Sequence, residues 1–84
     1  IYVGDGVTDI PCFSLVGANG GTCFGVFDPT DATSARRAFQ EFLRAGRVAS
    51  THAPRYRPDD ELGALLRAAV DATIARIELR RAQP

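Results

Sequence analysis

Two short apolar runs constrain the fold more than any other feature of this 84-residue chain: IYV at residues 1–3 and TCFGVF at residues 22–27. Each run can form a strand, and each is followed by glycine, aspartate or proline. The segment between them, residues 4–21, is long enough for a helical crossover that allows parallel pairing. The sequence therefore predicts a parallel strand–helix–strand unit, with a right-handed connection, in an α/β fold.

The first helix lies between these runs. It is expected to be capped by Thr8 or Asp9 and to end before Gly17. Residues 47–51 are predicted to form a short third strand.

Two further helices are predicted downstream. One is expected to start near Thr33 or Ser34 and to end at Gly46. The longest is expected to be capped by Asp59 and to fray over residues 78–84. Its apolar side chains recur at three- and four-residue intervals, which favours a core face, with a dimer seam as the alternative. The positions in this stripe are Leu62, Leu65, Leu66, Ala69, Val70, Thr73, Ile74 and Ile77.

Charge and composition argue against several classes of partner. Ten Arg and ten acidic residues give no net charge, which argues against nucleic acid or an anionic membrane. No apolar run approaches the roughly 20 residues of a membrane span. Cys12 and Cys23 lack metal-site spacing and are expected to be reduced thiols. These features favour a cytoplasmic globular domain.

The turn after the first apolar run carries candidate site residues. Asp5 stands at the carboxyl end of the predicted strand, where open α/β sheets bind ligands, and Asp9 follows four residues later. Gly4 and Gly6 allow a sharp turn and close approach of a ligand. Two carboxylates at one rim suit Mg²⁺ when water and phosphate oxygens complete its coordination. The turn therefore predicts a magnesium site, which would be weak with two carboxylates alone.

The segment YVGDGVTDIP, residues 2–11, resembles the fourth motif of the haloacid dehalogenase superfamily of phosphatases and related hydrolases. The order of the elements that follow is also similar to the end of that fold, a Rossmann-like parallel sheet with flanking helices. The resemblance implies that Asp5 and Asp9 hold a catalytic Mg²⁺, directly or through water, while Gly4 and Gly6 shape the loop. It also implies a small phosphorylated substrate, by default a phosphomonoester.

Other parts of the family pattern do not occur in these 84 residues. They contain no DxDx motif for the nucleophile and acid/base, no assignable phosphate-binding Ser/Thr and no Lys. The resemblance therefore implies that residues 1–84 are the C-terminal portion of one core domain, whose missing partner is the N-terminal half. An aspartate of that half would form the aspartyl-phosphate, so this chain alone is expected to be inactive. Its open sheet is expected to expose apolar surface and to favour a homo-oligomer.

Two other functions remain open. VGDGVTD also fits the start of a dinucleotide-binding GxGxx turn, with Asp28 at about the position of a ribose-binding acid. Against this, Asp9 replaces the third glycine and Asp5 would repel a pyrophosphate. The non-enzymatic alternative is a scaffold or remnant in which GDGVTD is only a tight turn before a capped helix.

Three smaller features have structural interpretations. His52 is expected to lie in a loop, solvated or capping. The basic segment at residues 55–57 is expected to be solvated, with binding of a phosphate or a partner carboxylate as the alternative. Asp28 is expected to stabilise the turn before Pro29.

Overall fold

The computed structural model describes residues 1–83, in which short strands alternate with helices. The strands are β1 (Tyr2–Gly4), β2 (Cys23–Val26) and β3 (Ser50–His52). The helices are α1 (Ile10–Ala18), preceded by a 3-10 turn at Val7–Asp9; α2 (Ala32–Arg37), continued by a π-helix at Ala38–Leu43; and α3 (Glu61–Ala82). The chain divides into two compact units, Ile1–Pro54 and a second that begins at Arg55.

The three strands form one parallel sheet in the order β1-β2-β3. Tyr2 of β1 is in register with Cys23 of β2, and Phe24 of β2 is in register with Ser50 of β3. β2 is buried along its whole length, as is usual for the central strand of a parallel sheet. The predicted α/β class, with a parallel strand–helix–strand unit at its start, is confirmed.

The core of the first unit is built around two phenylalanine rings. Phe13 of α1 is 1% exposed and Phe42 of the π-helix is 0% exposed, and their rings meet edge to face with centroids 5.2 Å apart. Tyr2 of β1 makes a second edge-to-face contact with Phe13, at 5.6 Å. Aromatic rings bury large apolar areas, and this geometry adds to the stabilisation. The cluster fixes β1 against α1, and so holds both ends of the loop between them.

Both cysteines are free thiols in the structure. Cys23 is buried on β2, where its Sγ lies 3.6 Å from the carbonyl oxygen of Phe13. Burial raises the pKa of the Cys23 thiol, which keeps it protonated. Cys12 is half-buried.

α1 begins where the sequence predicts but ends later. Asp9 occupies the N-cap position, and Pro11 lies in the first turn, where a missing N–H has no cost. Gly17 lies inside the helix rather than beyond its end. The residue with a left-handed backbone is Gly20 (φ +78°), whose N–H donates to the carbonyl of Gly17. The prediction that α1 ends before Gly17 is therefore wrong.

α2 starts earlier than predicted and ends irregularly. The side chain of Asp31 accepts a hydrogen bond from the N–H of Thr33, so the cap lies before the predicted start at Thr33 or Ser34. The following segment, Ala38–Leu43, is wound with the wider turn of a π-helix. This wider turn carries Phe42, which lies at the centre of the core.

β3 overlaps the predicted strand at residues 47–51 but extends one residue further, to His52. His52 is 6% exposed, its Nε2 lies 2.6 Å from the hydroxyl of Ser50, and its ring centroid is 6.2 Å from that of Phe24. The prediction of a solvated loop histidine is wrong. Alternate residues of a strand share one face, so Ser50 and His52 meet, and pairing with β2 brings Phe24 beside them.

α3 is longer and more exposed than predicted. Its N-cap residue is Asp60 rather than Asp59, and residues 78–82, which were expected to fray, are helical. Leu62 is buried, but four stripe residues are 37% to 48% exposed: Leu65, Val70, Ile74 and Ile77. The predicted core face is wrong for these four, because periodicity identifies a shared face but not what covers it. Within residues 1–83, no helix has both the length and the apolar character needed to cross a membrane.

Candidate functional site

The carboxyl ends of the strands border a cleft in the first unit. Its volume is about 340 Å³, and it is lined by Asp5, Val26, Phe27, Asp28, Pro29, Ser34 and Pro54. Asp5 directly follows β1, and Asp28 lies two residues after β2. This is the edge at which open α/β sheets bind their ligands.

Asp5 is exposed and is one of the residues that line this cleft. Its backbone N–H donates a hydrogen bond to Asp9 Oδ2 at 2.9 Å, which fixes the backbone from which the side chain projects. No group within residues 1–83 donates a hydrogen bond to the Asp5 carboxylate itself. Both of its oxygens therefore remain available to a ligand.

Asp9 has a different role in the structure, because both of its oxygens accept hydrogen bonds from the protein. Oδ1 accepts from the hydroxyl of Tyr2 at 2.5 Å, and Oδ2 accepts from the backbone N–H groups of Asp5 and Gly6 at 2.9 and 3.0 Å. The Asp9 N–H in turn donates to the carbonyl of Gly6. Asp9 therefore stabilises the loop between β1 and α1 and fixes the backbone of Asp5.

The hydrogen bonds around Asp9 also keep it ionised. The hydrogen bond from Tyr2, followed by that from the Gly6 N–H, lowers the pKa of the Asp9 carboxyl below its ordinary value. The same contact with Asp9 raises the pKa of Tyr2. At neutral pH the Asp9 side chain is therefore negatively charged, next to the start of α1.

The two glycines of the loop differ in what they permit. A Cβ on Gly4 would lie 2.5 Å from Asp9 Cγ, so only glycine allows the Asp9 side chain to approach so closely. A Cβ on Gly6 would meet only ordinary contacts, the nearest being Thr8 Oγ1 at 3.7 Å. Neither residue has a positive φ. Gly4 shapes the loop through close packing rather than through a special turn conformation.

Asp28 was predicted as a turn residue and, in the dinucleotide alternative, as a ribose-binding acid, but not as a neighbour of Asp5 in the candidate metal site. Its Oδ1 accepts hydrogen bonds from the Thr30 hydroxyl at 2.6 Å and the Thr30 N–H at 2.9 Å, which confirms its predicted role in the turn. These bonds lower the pKa of Asp28, the hydroxyl contributing most. Asp28 also lines the cleft, together with Asp5. The signal was available, since residues that follow adjacent parallel strands reach the same edge of the sheet.

The donor set of the cleft suits a hard cation in part. Asp5 and Asp28 supply carboxylate oxygens, and proteins often hold Mg²⁺ with one or two carboxylates plus water and substrate oxygens. In the described part of the chain, no three or more His, Cys, Asp or Glu side chains are grouped so as to hold a metal ion. Two carboxylates alone leave a Mg²⁺ site incomplete, so any metal bound here would need further ligands.

Comparisons of this chain with protein-family models, with curated proteins and with solved structures find no match. The chemistry of the cleft is therefore inferred from its own residues.

Proposed function

We propose that this chain is the C-terminal portion of the core of a Mg²⁺-dependent hydrolase similar to the haloacid dehalogenase phosphatases. In the proposal, the whole enzyme cleaves a small phosphomonoester through an aspartyl-phosphate, and its nucleophile lies outside these 84 residues. The observation that carries this proposal is the arrangement of the two loop aspartates. Asp9 holds the loop by accepting the N–H groups of Asp5 and Gly6, while the Asp5 carboxylate stays open to the cleft.

Each residue of the cleft has a separate part in the proposal. Asp5 is the direct metal ligand, and Asp28 is the second carboxylate of the cleft. Asp9 positions Asp5, since its oxygens already accept three protein hydrogen bonds, and the proposal gives it no direct contact with the metal. Bound Mg²⁺ would offset negative charge on the phosphoryl oxygens and on the attacking carboxylate.

The dinucleotide-binding alternative is less favoured by the same geometry. A pyrophosphate in such a fold lies at the N-terminus of the first helix, because N–H groups and the helix dipole attract anions there. In this chain the N-cap position of α1 is occupied by Asp9, whose pKa is lowered, so its negative charge would repel the ligand. The scaffold alternative predicts the same loop without cation binding.

Paramagnetic Mn²⁺ added to the ¹⁵N-labelled chain tests the metal site directly. Mn²⁺ favours the same oxygen ligands as Mg²⁺ and broadens the amide signals near its site. We expect broadening centred on the amides of Asp5, Gly6 and Asp28, reversed by excess Mg²⁺. The affinity is expected to be weak, because the chain supplies only two carboxylates.

Two matched variants show whether the effect belongs to the cleft. Asp5→Asn should abolish the broadening and leave the circular dichroism spectrum unchanged. Asp71→Asn removes one exposed carboxylate from α3, in the second unit, and should leave the broadening intact. Broadening that persists in Asp5→Asn, or the lack of any broadening in the unaltered chain, would favour the scaffold alternative.

A further inference from the structure

The apolar stripe of α3 has a symmetry that the proposed hydrolase function does not explain. The spacing between its eight positions is the same in both directions along the helix. Each residue has a counterpart at an equal distance from the midpoint between positions 69 and 70. The symmetric pairs are Leu62 with Ile77, Leu65 with Ile74, Leu66 with Thr73, and Ala69 with Val70.

Such a stripe is complementary to itself when two copies of the helix lie antiparallel. A twofold axis through the midpoint brings each position opposite its counterpart, which is the arrangement of an isologous dimer interface. α3 has 22 residues and is therefore about 33 Å long, at about 1.5 Å per residue. Four of the eight side chains are substantially exposed and so free to pack against a second helix: Leu65, Val70, Ile74 and Ile77.

One pair of charged residues near the ends of α3 is symmetric about the same midpoint and opposite in sign. Asp59, just before the N-cap, is the counterpart of Arg80 in the last turn, and both are exposed. In an antiparallel pair this contact would occur twice, whereas a parallel pair would bring like charges together. Glu61 and Glu78 are also counterparts. At about 100° per residue, however, both lie about 130° around the helix from the centre of the stripe, away from the seam.

We propose that α3 is the dimerisation element of this protein and that its partner is a second copy of α3 in antiparallel orientation. Burial of the exposed stripe supplies the association energy, and the paired Asp59–Arg80 contacts set the direction. The proposal stands independently of the metal site, which lies in the first unit of the chain.

Sedimentation equilibrium of the 84-residue chain tests the dimer. Val70→Asp places a charge beside the proposed twofold axis, so its burial would be uncompensated. Ala75→Asp adds the same charge at an exposed position on the opposite side of α3 and is the matched control. We expect Val70→Asp to raise the dimer dissociation constant at least tenfold and Ala75→Asp to change it by about twofold or less. Circular dichroism should show equal helix content in both.

Charge reversal tests the orientation without adding a charge to the apolar seam. Asp59→Arg or Arg80→Asp alone should weaken the dimer by about two- to tenfold, because each creates two like-charge contacts. The double variant Asp59→Arg/Arg80→Asp should restore the original affinity. In a parallel dimer, neither single variant would weaken association by adding like charges. Failure of the double variant to restore association would therefore overturn the antiparallel arrangement.

Three further results would overturn the proposal as a whole. The first such result is that the unaltered chain stays monomeric at about 1 mM. Val70→Asp would leave self-association intact, which would point to the open sheet edges of the first unit instead. Ala75→Asp would weaken the dimer as much as Val70→Asp, which would point to a general effect of charge.

Discussion

The first unit and α3 are both rich in apolar residues but bury them very differently. In the first unit, the side chains of Phe13 and Phe42 are almost fully enclosed and pack ring against ring. In α3, Ile74 and Ile77 are 48% and 45% exposed, and the Thr73 hydroxyl donates a hydrogen bond to the carbonyl four residues earlier. The core of the first unit is therefore enclosed by tertiary packing, whereas much of the apolar stripe of α3 remains exposed.

A pair of truncations should give the largest difference in unfolding free energy between the two regions. Phe42→Ala removes a ring that is 0% exposed, and it should lower the free energy of unfolding of the first unit by about 3–5 kcal/mol. Ile77→Ala removes a side chain that is 45% exposed, and it should cost about 0.5 kcal/mol or less at concentrations where the chain is monomeric.

Urea denaturation followed by circular dichroism measures both changes. Where Phe42→Ala prevents folding altogether, hydrogen exchange of the β2 amides should show the loss of protection directly. Equal effects of the two truncations would contradict the contrast between an enclosed core and an exposed stripe.

A smaller effect is expected at the two loop glycines. Gly4→Ala forces its Cβ against the Asp9 carboxylate, so we expect a loss of about 1–3 kcal/mol in stability and a disturbed Asp5 loop. Gly6→Ala has room for its Cβ and should cost about 0.5 kcal/mol or less. Thermal unfolding and the amide chemical shifts of the loop report the two responses. A tolerated Gly4→Ala would mean that the Asp9 side chain does not pack against that backbone.

The smallest expected effect is on the acid stability of the first unit. Because the pKa of Asp9 is lower in the folded than in the unfolded chain, the unfolded chain binds more protons over the interval between the two values. Asp9 therefore stabilises the fold above its ordinary pKa of about 4, and this contribution is lost as pH falls through the folded value. Unfolding measured between pH 2 and 6 should show this loss in the unaltered chain.

Two variants assign the acid effect to its cause. Asp9→Asn can keep the loop hydrogen bonds but cannot titrate, so its stability should depend less on pH in this range. The remaining dependence would include Asp28, whose pKa is also lowered. Tyr2→Phe removes the largest cause of the Asp9 shift and should move the acid loss toward higher pH. An acid profile unchanged in both variants would exclude Asp9 as its source.

The sequence predicted the elements whose signals are local and missed those that depend on neighbours in space. The apolar runs identified β1 and β2, and the Asp31 side chain shows that the start of α2 differed only by the choice of cap. The burial of His52 could not be read from its flanking residues, because it follows from the register of β3 against β2. Likewise, Asp28 lines the same cleft as Asp5 because β1 and β2 are paired side by side.

The candidate site divides in the same way. The pattern of residues 4–9 predicted that two aspartates and two glycines act together, but it did not distinguish their roles. The hydrogen-bond partners make Asp9 the anchor of the loop and leave Asp5 open. That difference has two causes. The Tyr2 hydroxyl donates a hydrogen bond to Asp9, and the lack of a Cβ on Gly4 leaves room for the Asp9 carboxylate.

The Asp9 anchor also bears on how the molecule folds. Its hydrogen bonds join residues only three, four and seven positions apart, whereas the pairing of β1 with β2 joins residue 2 to residue 23. The entropy cost of closing a loop grows with its length, so the site loop is less costly to close than the sheet that supports it. Its hydrogen bonds lie within residues 2–9, whereas its ends are held by the packing of Tyr2 against Phe13, so we expect the loop to close early and to be fixed in place only when α1 packs.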